Sequence, residues 1–65
     1  MLKQVSERPT EGQFIRMWVF DGKPWCDVMR WHDGVLQTND APFGWHDNHA
    51  SLPDDITVTY MVEES

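Results

Sequence analysis

Along most of this chain the hydrophobic residues recur with a period of two, the spacing of a strand, and nowhere convincingly with the 3.6 of a helix. Gln13 to Phe20 (QFIRMWVF) is rich in aromatic and β-branched residues, and the Asp21-Gly22 that follows is a strong short-range hairpin signal. Pro24 to Trp31 (PWCDVMRW) then reads as the returning strand, and Asp33-Gly34 as a second tight turn into Val35 to Thr38. Alternation returns near the C-terminus, with Ile56, Val58, Tyr60 and Val62 on one side of a strand and Thr57, Thr59, Met61 and Glu63 on the other. Between them, Asn39 to Asp55 holds prolines, Gly44 and several Asn and Asp residues, and reads as a long loop anchored by Phe43 and Trp45. At most a single turn of helix fits Pro42 to His49 or Ser51 to Asp55. Residues 1–12 are polar, carry Pro9 and Gly12, and read as an extended N-terminal arm. The expected fold is mainly β: a small antiparallel meander sheet of three to four strands over Gln13 to Thr38, with Ile56 to Val62 returning to pair with one edge, the first strand.

The register of the first hairpin follows from its turn. A two-residue loop at Asp21-Gly22 sets Phe20 opposite Lys23 and fixes every later pair. Trp18 then faces Trp25, Arg16 faces Asp27 and Phe14 faces Met29 on one side; Met17 faces Cys26 and Ile15 faces Val28 on the other. Aromatic and opposite-charge pairs of this kind each stabilise an antiparallel ladder by roughly 0.2–1 kcal/mol. Pro24 falls opposite Val19 at a position that donates no bond to that ladder. For the second turn two registers are open: a two-residue loop pairs Trp31 with Leu36, whereas a three-residue loop containing His32 pairs it with Val35.

Both faces of this hairpin are apolar, which a half-solvated antiparallel sheet should not be. The chain has 65 residues, a single domain spanning 1–65 with little to cover a second face. One face is therefore expected to meet a host protein or a second copy of the chain, making a homo-oligomer. Four tryptophans are an unusual number at this length. Trp18, Trp25 and Trp31, with Phe14 and Phe20, are the expected anchors, and Arg16 with Asp27 sets register within that face, because tryptophan dominates binding energy at interfaces.

Charge and cysteine narrow the function classes. A net charge of -6 argues against binding nucleic acid through phosphate contacts. No apolar run approaches the roughly 20 residues of a membrane span, and no secretory h-region opens the chain, so a cytoplasmic protein without a membrane partner is expected. Cys26 stands alone, which removes an intramolecular disulfide. Its mid-strand place beside Trp25 and opposite Met17 suggests a buried, inert thiol. Trp-His-Asp occurs at residues 31–33 and 45–47, and His32, His46 and His49 are weak candidates for a divalent metal such as zinc. The plainer account is that Asp33-Gly34 and Asp47-Asn48 are turns with exposed histidines beside them. Neither paired carboxylates in reach of one another nor a glycine-rich phosphate loop is present, so neither enzyme activity nor a cofactor is expected. Asp21, Asp33, Asp40, Asp47, Asp54 and Asp55 all fall in the expected turns and loops, a distribution that would also suit an acidic mimic of nucleic acid blocking a DNA-binding enzyme.

The opening Val5-Ser6-Glu7-Arg8-Pro9-Thr10-Glu11-Gly12-Gln13, the strand ending in Asp21-Gly22, the Trp31 segment with Asp33-Gly34 and the late Ile56-Thr57-Val58-Thr59-Tyr60-Met61 resemble a family of short phage and prophage proteins of unknown function. Its members open with a W-I-x-V-x-x-R-L-P-E-x-G stretch and close on V-T-H-W-M-P-L-P. This chain departs from that pattern: it lacks the leading tryptophan, has Arg8 before Pro9 where the family has leucine, and ends Met61-Val62-Glu63. The resemblance implies a phage or prophage origin, action in the host cytoplasm, a small sheet fold and no catalytic residue to carry over. Taken together, these features suggest a non-enzymatic accessory protein, such as an inhibitor of a host or defence enzyme.

Overall fold

The computed structural model describes residues 1–47 and 52–64. They form one antiparallel sheet and no helix. Its strands are β1 (Leu2–Val5), β2 (Gln13–Phe20), β3 (Lys23–His32), β4 (Val35–Asn39), β5 (Trp45–Asp47) and β6 (Val58–Glu63), in the spatial order β1-β6-β2-β3-β4-β5.

The hairpin arithmetic holds pair by pair. Phe14 faces Met29, Arg16 faces Asp27, Trp18 faces Trp25 and Val19 faces Pro24. The second turn takes the two-residue register, with Trp31 opposite Leu36. Both turns have the positive φ angles of a type I′ turn, 53° and 73° at Asp21 and Gly22 and 52° and 77° at Asp33 and Gly34. Their twist matches that of the strands they join, so the local sequence alone specifies this meander.

Beyond the meander the expectations need correction. The sheet has six strands, not three or four. Residues 2–5 are not a free arm but the edge strand β1, paired from Leu2 opposite Glu63 to Val5 opposite Tyr60. β6 pairs with β2 as expected, yet it lies inside the sheet, because β1 takes its other side. Asn39 to Asp55 is not wholly loop: β5 extends the sheet beyond β4. A three-residue strand is too short for alternation to show, and the four-residue β1 (LKQV) carries no apolar period; both form because a neighbouring ladder supplies their hydrogen bonds.

The core lies on the face that carries Phe14, where Phe14 is 2% exposed and Met29 0%. Tyr60 meets Phe14 edge-on at 5.7 Å between ring centroids. The connection from β1 to β2 must pass over β6. It is held near Trp31, whose indole Nε1 donates to the Pro9 carbonyl at 2.8 Å and whose backbone N–H donates to Gly12 O at 2.9 Å. Two further expectations fail. Phe43 is no anchor, being 77% exposed. Cys26 is exposed and not buried, because the hairpin faces there have no covering layer among the described residues.

Candidate functional site

The topology gathers one end of the sheet from distant parts of the chain. β2 and β4 run towards it and β6 starts from it, so the turns at Asp21-Gly22, residues 40–44 and Asp54-Asp55 all lie there. At this end the β2–β3 hairpin outruns its neighbours. Pairing with β6 reaches only Trp18 opposite Val58, and pairing with β4 begins only at Met29. Residues 19–24 therefore form a two-stranded ribbon, and Trp25 to Val28 just beyond it form an edge of β3 with no β4 beside them. Val19 is 63% exposed, Phe20 55% and Trp25 51%.

Cation–π pairing separates Trp25 from the other tryptophans. The Arg16 guanidinium lies over Trp18 at 4.9 Å, Arg8 over Trp31 at 5.6 Å and Arg30 over Trp45 at 4.3 Å. These are all the arginines of the chain, and none covers Trp25 among the described residues. Arg16 also donates to Asp27 Oδ2 at 2.5 Å, its side chain 13% exposed. Its Nε is buried without a partner, so this guanidinium is held chiefly by the carboxylate and the Trp18 ring. Arg30 donates from Nε to Gln37 Oε1 at 2.8 Å, and Gln37 Nε2 donates to Asp47 Oδ1 at 3.3 Å. This polar ladder crosses β3, β4 and β5 on the face opposite Phe14.

The seven expected contact residues therefore separate. Phe14 packs the core. Trp31 is tied to Pro9 and Arg8, and Arg16 with Asp27 forms an internal pair that props Trp18. Phe20 and Trp25 remain, with Trp18 directly opposite Trp25. Phe43, 77% exposed, lies in the turn at this end, whereas Val19 points to the face opposite Phe14; how far Val19 and Trp25 are exposed depends on where neighbouring strands stop, for which the sequence holds no signal.

Asp21, Asp40, Asp54 and Asp55 lie in turns on this side of the sheet, and all are exposed, with Asp40 about level with Asp27 and short of the hairpin tip. Lys23 is the cation of the hairpin tip. The remaining candidates do not converge. His32 and His46 lie on opposite faces of the sheet by register, and His49 lies outside the described residues. Among the described residues no three His, Cys, Asp or Glu side chains come together as a metal site. Cys26 and His32 share a face but stand six residues apart on β3, roughly 20 Å at ~3.3 Å per residue. Each histidine instead sits near one carboxylate, His32 Nε2 at 3.4 Å from Asp33 and His46 Nε2 at 3.8 Å from Asp40. No helix among the described residues is long and apolar enough to cross a membrane. No protein-family model matches the chain, and comparison with curated proteins and with solved structures found no match.

Proposed function

We propose that the protein is a non-enzymatic interaction module, an accessory protein of the phage type acting in the host cytoplasm. It docks a host protein through the aromatic, acid-rimmed end of its sheet, and in doing so blocks a host or defence enzyme. One observation carries this reading: Trp25 is half exposed and lacks the arginine cover that Trp18, Trp31 and Trp45 each possess. A large aromatic ring at the open edge of β3, where the hairpin begins to project, is the kind of group that dominates interface energies. Phe20 extends the patch, and the surrounding aspartates suit a partner whose rim is basic.

Affinity capture from host lysate with the wild-type chain and with Trp25→Ala, followed by mass spectrometry, tests it. A specific partner retained by the wild type and lost with Trp25→Ala, at a cost of about 2 kcal/mol or more in binding, supports the assignment. A partner retained equally by both removes it.

The placing of four exposed turn aspartates on one side of the sheet favours a second reading, an acidic surface that competes with nucleic acid for a basic groove. Binding of that kind weakens steeply as salt is raised from about 50 to about 300 mM, over which screening lengths fall to about 10 Å and below. It follows substitution of Asp21, Asp54 and Asp55 by Asn more closely than loss of Trp25.

A further inference from the structure

The face opposite Phe14 carries an uncharged patch of its own. Three rows cross the sheet there: Gln4, Met61, Ile15 and Val28; then Thr59, Met17 and Cys26; then Val19 and Pro24. None of these side chains ionises at neutral pH as a carboxylate or a cation, in a chain of net charge -6. Charge returns only at the margin, in the next row, with Glu63 and Arg30. Among the described residues every contact between strands is between neighbours in the sheet, so no strand packs over this patch. Cys26 and Val19 are exposed, and Ile15, Met17, Val28 and Met61 are half-buried.

We infer that this face binds the same face of a second copy, giving a two-fold dimer in which two sheets pack as a sandwich. Charge selects the occupant. Two chains of net charge -6 repel through most of their surfaces, and a basic partner would find no carboxylate here to pair with. A neutral patch meeting itself incurs neither penalty, and a two-fold interface needs only self-complementarity. Area sets the strength. Nine positions, each about 4.8 Å across and two residues of ~3.3 Å along the strand, give a footprint of roughly 300 Å² per copy. Counted on both copies this stays below the ~1,000 Å² at which stable specific interfaces begin, so the dimer is a weak, reversible one. Packing at the usual angle of about −30° would also create a second core. Among the described residues the hydrophobic side chains that are fully packed are Phe14 and Met29, both on the other face. The inference is independent of the docking end proposed above, because Trp25 and Phe20 lie on the other face and stay free in the dimer.

Sedimentation equilibrium of the full chain from 1 to 200 µM, a span bracketing ordinary weak association, tests it alongside Met17→Glu, Val19→Asp and Trp25→Ala. The expected result is a wild-type mass rising to twice the 7.7 kDa of one chain. Met17→Glu should weaken the dimer roughly 100-fold, since it brings an unpaired carboxylate into the interface. Val19→Asp, a substitution at a position already 63% exposed in one copy, should do so without disturbing the fold, as read by the far-ultraviolet β spectrum. Trp25→Ala should remain dimeric. A wild-type chain monomeric at 200 µM overturns the inference, as does dissociation by Trp25→Ala with Val19→Asp still dimeric. A monomer that binds neutral phosphatidylcholine vesicles assigns the face to lipid and overturns it too. Failure here with Trp25-dependent capture intact leaves the docking end standing, and the converse leaves the dimer.

Discussion

Arginine and tryptophan account for much of what single residues do in this protein. Arg16 both ion-pairs with Asp27 and covers Trp18, while Arg8 and Arg30 cover Trp31 and Trp45. Such contacts are worth roughly 0.5–2 kcal/mol and hold large rings on a sheet too thin to bury them. Trp31→Phe, which removes the donor to Pro9 O together with part of the ring that Arg8 covers, should cost about 1–2 kcal/mol in urea unfolding and loosen the crossing segment over β6. Met29→Ala is expected to be far worse. Losing a fully buried side chain of this size costs about 2–5 kcal/mol. A 65-residue chain at about 0.05–0.15 kcal/mol per residue has only some 3–10 kcal/mol in total. Circular dichroism of this variant should show a chain largely unfolded at 37 °C. The pairing of Phe14 with Met29 was readable from the turn, whereas their burial was not, since the register makes both hairpin faces look alike.

At the level of elements, the two type I′ turns hold the meander in register. Gly22 and Gly34 have φ of 73° and 77°, where a side chain is strained even though neither faces a nearby atom. Gly34→Ala should therefore cost about 1 kcal/mol in thermal or urea unfolding, a purely backbone effect. The central strands should also outlast the edges. Amide hydrogen exchange is expected to be slowest in β2, flanked by β3 and β6, and fastest in the three-residue β5, which has a neighbour on one side only. β2, β3 and β4 were legible to within a residue or so because each has its own alternation and a turn dipeptide between. β1 and β5 were not legible, because a short polar edge strand exists through its neighbour and leaves no pattern of its own.

At the scale of the whole molecule, the two proposed contacts fall on separate surfaces. One end carries Trp25 and Phe20 with aspartates around them; the opposite sheet face carries the uncharged patch centred on Met17. The two proposed contacts respond to different conditions: the uncharged face should be nearly indifferent to salt, while an acid-rimmed contact weakens as salt rises. Measuring both association steps at 50 and 300 mM salt checks that division, and a dimer that dissociates steeply with added salt would contradict it.

From the sequence by itself came the β class, the hairpin registers, the cross-strand pairs and the presence of apolar residues on both faces. All of these follow from period and turn chemistry, which act within a few residues. Tertiary structure alone decided which face became the core, that β6 would be inserted between β1 and β2, and that three arginines would cover three tryptophans and leave Trp25 bare. Those outcomes depend on contacts between residues far apart in the chain, where the length of a neighbouring strand, and not the local pattern, determines what is exposed.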